Sequence, residues 1–428
     1  MSRSDPPWRS RGSPSLRAAL AAAAMVAAAE AAAHLIGSAS DPLSPAAVDA
    51  SDYFSAEEVE RGRSYRSGQL RLALAGTGLQ LALLAGLALG RPRLARRALA
   101  RLGSRPLAGA AAAGAGIALA LAIVALPTRI AAHERSVDVG LSTQTLAPWL
   151  WDVARSAAIT ALLAAGGAAL LLALIRRWPR RWWLPGAAAV TAVAIVITWI
   201  APVVLAPIFN RFDPLPEGSA LRAEVVELAG RAGVDVGEVY TVDASRRSTR
   251  ESAYVGGLGP TKRVVLYDNL LANAPPGEVR AVVAHELAHV ANDDIRRGIT
   301  FVAVVAPFGL LFVRELGRAL ALRGGAEPGT VPALPAYVLA IVVASTTIGI
   351  VSNQLSRQME AAADTFALEL TGDPEAMVGL QRRLSEANVS DPDPPSAVRF
   401  LLRTHPTTVE RIGIARAYEQ REAPATVD

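Results

Sequence analysis

The segment VVAHELAHVANDD contains His285, Glu286 and His289 in the spacing H-E-x-x-H. Residues four apart on a helix share one face, so both imidazoles can bind the same ion, and zinc is the metal this spacing suits. Glu286, one residue along, can reach a water activated by that ion and act as general base. The chain has only five histidines, and two of them are here. The neighbours Val282, Val283, Ala284, Leu287 and Ala288 are apolar, as a buried site helix requires.

A catalytic zinc takes three protein ligands and keeps one position open. The absence of cysteine removes thiolate ligands, disulfides and cysteine nucleophiles together. The segment SRQMEAAAD offers Glu360 as third ligand. Asp364, one helical turn on, is placed to accept a hydrogen bond from the free ring nitrogen of His285 and fix its tautomer. The long gap between His289 and Glu360 is explained if a transmembrane hairpin fills it and returns the second helix beside the first.

The elements that must position these residues are mostly membrane spans. Residues of hydrophobic type make up 52% of the 428 and charged residues 19%, against about 25% charged in a soluble domain. A span needs about 20 apolar residues. Such runs occur at about Ala18–Gly37, Leu72–Gly90, Leu107–Leu126, Ser156–Ile175 and Pro185–Ile208, with two more at Ile299–Val313 and Ala333–Ser352. The sixth is short, ending at Arg314. The first, alanine-rich and preceded by arginines, has the look of a secretory signal. It also carries Glu30 and His34 on one helical face, which favours a retained helix lining a wet interior.

Residues 1–208 therefore read as a multi-span membrane domain. Residues 209–428 read as a catalytic unit of helices and a small sheet, interrupted by the hairpin at about 299–352. FNRFDPLPEGS reads as a linker. Helices are expected at Ala220–Ala232 and Pro276–Asp293, strands at EVYTVDAS, SAYVGG and RVVLYD, and a polar helical tail over Asn353–Tyr418 broken by SDPDPPS.

H-E-x-x-H, then S-R-x-x-E-x-x-x-D and a late THPTTVERI, resemble the membrane zinc metallopeptidases that include the type 1 CAAX prenyl proteases and the heat-shock protease HtpX. LAPIFNRFDPLPEGS, SAYVGGLGPTKRVVLYDNLL and HERSVDVGLSTQT make the prenyl protease branch the nearer one. The resemblance implies a mainly α membrane fold, with about seven transmembrane helices around a water-filled chamber and a gluzincin-type peptidase domain at its mouth. It implies one zinc per chain on His285, His289 and Glu360, with Glu286 as base and Asp364 behind the ligands. It implies that His405 and Arg411 lie at the active site. There His405 would donate to the developing oxyanion and Arg411 would hold Glu360 or the substrate. Asn292 and Asp294 match the family's extension of the zinc helix and would hold it in place.

The strand Ser252, Ala253, Tyr254, Val255 and Gly256 is expected to be a sheet edge that binds substrate main chain. Ser252 stands where the family usually has asparagine, so side-chain recognition there would differ.

The expected function is an integral-membrane zinc endopeptidase. In a prenyl-protease setting it would cut a C-terminal tripeptide from a farnesylated protein. In a bacterial membrane, which the arginine-rich, nearly lysine-free composition suggests, membrane or misfolded proteins become the expected substrates. An inactive scaffold is disfavoured by the intact H-E-x-x-H and Glu360, and a transporter by the lack of paired half-sequence similarity. Partners are peptide or protein substrates, membrane-associated or lipidated ones included, and the bilayer.

The net charge of +5 is almost all arginine, with Lys262 the one lysine. It lies in short loops, which points to membrane topology and away from nucleic acid. Arg3, Arg9, Arg11 and Arg17 precede the first span. Arg91, Arg93, Arg96, Arg97, Arg101 and Arg105 follow the second. Arg176, Arg177, Arg180 and Arg181 follow the fourth, and Arg314, Arg318 and Arg323 end the sixth. Arginine-rich short loops stay in the cytoplasm, which puts the metal site outside it; the family resemblance implies a site facing the cytosol.

Overall fold

A computed structural model describes residues 14–90, 92–257 and 262–423. Arg3, Arg9, Arg11 and Arg91 lie outside the described residues, as does the 258–261 part of the SAYVGG-to-RVVLYD segment.

The membrane half contains helices α1 (Pro14–Ile36), α2 (Ala56–Ala85), α3 (Arg93–Leu102), α4 (Pro106–Val124), α5 (Leu126–Asp138), α6 (Leu146–Arg177), α7 (Trp183–Ile200) and α8 (Ala206–Phe209). The second half contains α9 (Ala220–Arg231), α10 (Asp268–Asn273), α11 (Pro276–Ala291), α12 (Asp294–Arg323), α13 (Leu334–Thr371), α14 (Pro374–Ala387), α15 (Ser396–Leu402) and α16 (Thr408–Glu422). Among the described residues, 7 helical stretches are long and apolar enough to span: Ser15–Ile36, Ala56–Gly90, Pro106–Val124, Leu146–Arg177, Trp183–Phe209, Asp294–Arg323 and Val331–Thr371. That is the number the sequence predicts.

Small residues set how closely the spans approach. A Cβ on Gly114 of α4 would lie 2.5 Å from the carbonyl oxygen of Ala164 on α6, so only glycine fits that crossing. The sixth apolar run sits inside a longer helix. Helix α12 runs on to Arg323, and Arg314 pairs with the adjacent Glu315. The seventh span and the Glu360 helix are one continuous element, the 38-residue α13. No turn separates membrane from site.

The sheet has four strands, β1 (Phe212–Pro214), β2 (Glu238–Val242), β3 (Ala253–Gly256) and β4 (Arg263–Tyr267), in the order β1-β2-β4-β3. β2 and β4 are parallel, while β1 on β2 and β3 on β4 are antiparallel. The segment FNRFDPLPEGS is not merely a linker, because Phe212–Pro214 forms β1. Its proline sits at the end of an edge strand, where a missing N–H costs no ladder bond. HERSVDVGLSTQT is likewise only partly loop, since its HERSVD stretch closes α5.

Beneath the sheet, α11 buries Val283, Ala284 and Leu287 against Val264 and Leu266 of β4, Leu228 of α9, Met377 and Leu380 of α14 and Ile412 of α16. Phe54, from the connection between the first two spans, enters the same core. Leu43 from that connection donates its N–H to Thr365 Oγ1 at 3.0 Å. A segment within the first 208 residues thus helps to brace the peptidase half.

Candidate active site

The buried apolar side of α11 fixes its rotation, and the other side presents His285, Glu286 and His289. Helix α13 crosses that side and brings Glu360 to it. His285 Nε2 lies 3.3 Å from Glu360 Oε2, and His289 Nε2 lies 3.6 Å from Glu360 Oε1. The two Nε2 atoms are 3.3 Å apart. With zinc–nitrogen bonds of about 2.0–2.1 Å, the corners of a tetrahedral site stand about 3.3–3.4 Å from one another. The donors are therefore spaced as one small tetrahedral ion requires, and all three ligand atoms lie within 4.8 Å of one another. Two imidazoles and one carboxylate also leave a fourth corner free, as a hydrolytic metal needs.

Each histidine turns its other ring nitrogen to a carboxylate. His285 Nδ1 lies 2.9 Å from Asp364 Oδ1, with Asp364 fully buried. His289 Nδ1 lies 2.8 Å from Asp294 Oδ2. The second contact depends on the break between α11 and α12. Asp293 adopts φ 56° there, and this left-handed turn folds the next residue back onto the preceding helix. From sequence alone Asp294 has only a general bracing role. A carboxylate just past the end of the H-E-x-x-H helix is the signal for more.

Arg411 is expected on Glu360 or the substrate. It does not hold Glu360 but grips Asp364, through Nε at 2.7 Å and Nη2 at 2.5 Å. A buried carboxylate one turn beyond Glu360 is the stronger electrostatic partner for a guanidinium fork. Nη2 also lies 3.3 Å from His285 Nδ1. Burial and the Arg411 cation push the His285 pKa down, but hydrogen bonds to Asp364 and Glu360 outweigh them and lift it to about 10. Burial pushes the Glu286 carboxyl above its usual range, and the two histidines offset part of that.

His405 Nδ1 reaches Glu360 Oε2 at 2.8 Å, and 57% of its side chain is exposed. It lies on the open side of the site. Asn292 is buried at the end of α11, where its carbonyl accepts from Arg297 Nε at 2.9 Å. Glu30 and His34 do not join the site. They are exposed on α1, and the Glu30 carboxylate accepts from Gln354 Nε2 at 3.5 Å.

Strand β3 is the sheet edge opposite β1, and Glu286 Oε2 lies 3.4 Å from its Val255 N–H. Backbone groups alternate along a strand. The Ser252 carbonyl accepts from Tyr267 N–H at 3.1 Å, so Ser252, Tyr254 and Gly256 turn their backbone groups into the sheet. Ala253 and Val255 turn theirs outward. On that outward side the Val255 N–H faces Glu286 and the Ala253 carbonyl accepts from Ser252 Oγ at 3.3 Å, so a substrate strand would exchange these contacts for its own. A cavity of about 300 Å³ adjoins them, lined by Val255, Glu286, His289, Val290, Asp294 and Ile295.

Comparison with known proteins agrees with this arrangement. Residues 217–419 match the profile of peptidase family M48, and residues 41–211 match the CAAX prenyl protease N-terminal domain, described as five membrane helices. The chain belongs to peptidase family M48. A Bacillus subtilis relative, an uncharacterized metalloprotease named YhfN, is 29% identical over 72% of each chain. A CAAX prenyl protease 1 homolog of Oryza sativa is 33% identical over 52% of each chain. Protease HtpX of Legionella pneumophila is 26% identical over 51% of this chain and 83% of its own. The matches thus span about half the length of the rice prenyl protease and most of the bacterial proteins.

The crystal structure of S. mikatae Ste24p superposes with a TM-score of 0.73 at 19% identity, covering 96% of this chain and 100% of that one. The fold is therefore the Ste24p fold, as the sequence resemblance implied. The chain is a multi-pass membrane protein of a metallopeptidase family.

Proposed function

We propose that this protein is a zinc endopeptidase that cleaves extended peptide segments at the membrane surface. The observation that carries the reading is the convergence of His285, His289 and Glu360 at tetrahedral spacing, with Glu286 lining the adjoining cavity. In this reading the three residues hold one zinc. That ion would supply a Lewis acid for the scissile carbonyl and lower the pKa of a bound water.

The chain's own groups do the rest. Val255 and Ala253 pair with the substrate main chain and hold it beside Glu286. Glu286 Oε accepts the proton of the attacking water and hands it to the departing amine. Its raised pKa makes it a better acceptor for the water's proton than an ordinary carboxylate. Asp364, itself held by Arg411, fixes the His285 ring, and Asp294 fixes the His289 ring. His405 stands on the open side as a donor for the oxygen that gains negative charge.

The name of the rice relative supports one substrate class, prenylated protein C-termini. The membrane spans support another, segments of membrane proteins that arrive along the bilayer. The edge strand beside Glu286 favours neither, since main-chain pairing reads no side chain. The test is direct. Purified protein should contain one zinc by elemental analysis and cleave a generic peptide library, and both a chelator and Glu286→Gln should stop cleavage. A zinc-loaded protein that cuts nothing, or a Glu286→Gln variant as active as the parent, would reject the reading.

A further inference from the structure

Helix α13 carries more of the site than its ligand. Asn353, Arg357, Glu360 and Asp364 follow one another at helical spacing of four, three and four, so they form one stripe along its face. Each grips α15, α16 or the turn between them. Asn353 Nδ2 donates to the Leu401 carbonyl at 3.0 Å. Arg357 Nη1 donates to the Arg403 carbonyl at 2.6 Å and to the Arg399 carbonyl at 3.3 Å. Glu360 meets His405, and Asp364 meets Arg411.

The Arg403 carbonyl lies just past the C-terminal end of α15, where helical acceptors run out of partners, and the Arg399 carbonyl also accepts from Arg403 N–H at 3.4 Å. Arg403 is already extended at φ −91° and ψ 129°, so the chain leaves the helix there and reaches His405 two residues later. The His405 side chain is mostly exposed, so little packing holds it. Its place is set by the turn that carries it. That turn is held from its other sides by Arg403 Nη2 on the Asp391 carbonyl at 3.0 Å and by Arg399 Nη1 on Glu410 Oε1 at 2.9 Å.

We propose that Arg357 is a positioning residue for the hydrolytic reaction: by bridging the carbonyls of Arg399 and Arg403, it fixes the turn that presents His405 to the open side of the site. The proposal rests on the reading of His405 as a donor in the reaction. Arg357 touches no ligand atom and no substrate. Both bonds leave the one nitrogen Nη1, so a lysine ammonium offers the right donors, but its side chain is one bond shorter and reaches the two carbonyls less well.

The experiment is a double-mutant cycle on the full-length protein in detergent, with a quenched peptide as substrate. Arg357→Met should lower kcat roughly 10–100-fold, as loss of an orienting contact does, with KM and zinc content unchanged. In a His405→Ala background the same substitution should change kcat by less than about twofold, because the group it positions is gone. Arg357→Lys should fall between the two and serves as the folded control. Amide hydrogen exchange should rise at residues 402–406 in Arg357→Met and remain unchanged along α11.

Equal losses from Arg357→Met in both backgrounds would overturn the proposal in favour of a general packing role. Unchanged kcat in Arg357→Met would overturn it outright. If His405→Ala alone keeps full turnover, the reading of His405 fails, and the positioning role falls with it even where exchange reports a loosened turn. Failure of the peptidase reading is a different result, since Glu286→Gln would then leave activity intact.

Discussion

Asp294 and His289 form the less conspicuous of two carboxylate–histidine pairs behind the metal-binding face, with Oδ2 and Nδ1 2.8 Å apart. Asp364 on His285 is its counterpart at 2.9 Å. One pair comes from the helix that supplies Glu360. The other comes from the residue just past a left-handed turn at Asp293. Both imidazoles are therefore oriented from behind, with their Nε2 atoms free to point at one ion. Asp294→Ala should weaken zinc binding roughly 10–100-fold while leaving all three ligands in place. A competitive chelator titration measures this. Zinc affinity equal to the parent's would show that the contact orients nothing.

Glu286→Gln separates metal from catalysis. The amide is nearly isosteric and is no zinc ligand, so elemental analysis should find the metal still bound. It cannot accept the proton of the attacking water, so kcat should fall by roughly 10²–10⁴-fold. A variant that loses both zinc and activity would move Glu286 from base to ligand.

The edge strand offers a sharper test than its sequence suggests. SAYVGG marks a strand, but not which of its main-chain donors face away from the sheet. The pairing of Ser252 with Tyr267 decides that. Val255→Pro removes the outward N–H, together with its contact to Glu286 Oε2, and leaves the ladder to β4 intact. It should raise KM several-fold with zinc retained. Tyr254→Pro removes an inward donor instead, and should lower the thermal midpoint of the whole sheet. Equal KM in Val255→Pro and parent would place the substrate elsewhere.

Proton release accompanies metal binding. The folded-state pKa of His285, about 10, lies above the ordinary 6.5, so in the metal-free protein its proton is held through the neutral range and lost only as pH rises through the folded value. The ring must be neutral to give a nitrogen lone pair to zinc. Zinc affinity should therefore climb with pH across the neutral range, with about one proton released from His285 per zinc bound at pH 7. Calorimetric titration in buffers of different ionisation enthalpy reads that proton directly. Binding heats independent of the buffer would mean that the ring is already neutral.

Much of the site is legible in the sequence because its chemistry is local. His285, Glu286 and His289 fall within one helical turn, and Glu360 with Asp364 within another, so helical geometry alone predicts their shared faces. The span count is legible because length and hydropathy are one-dimensional properties. What escapes depends on turns and on pairing across the chain. Two acidic residues on α13 compete for Arg411, and only the docking of α16 selects Asp364. The role of Asp294 requires the left-handed turn at Asp293, a conformation that no residue type there demands. The strand at Phe212–Pro214 reads as linker because three residues ending in proline carry no alternation, and pairing with β2 alone makes them a strand.

Two arguments meet over the side of the membrane that carries the site. The 7 spans put the connections after α2, α6 and α12 on one side, and the sheet, α11 and the C-terminal helices on the other. The first side holds Arg93, Arg96, Arg97 and Arg101 on α3, and Arg176, Arg177, Arg180 and Arg181 around the α6–α7 turn. Between α1 and the apolar part of α2, the opposite side carries Asp41, Asp49, Asp52, Glu57, Glu58 and Glu60, against Arg61, Arg63 and Arg66. Positive short loops stay cytoplasmic, so the charge pattern places the zinc-binding face outside the cytoplasm, whereas resemblance to the prenyl proteases implies the reverse. Reporter fusions after Asp428 decide between them. The charge rule expects an active alkaline phosphatase fusion and a dark green fluorescent protein fusion. A bright fluorescent fusion with inactive phosphatase would overturn it and set the site facing the cytosol, where a prenylated substrate would meet it.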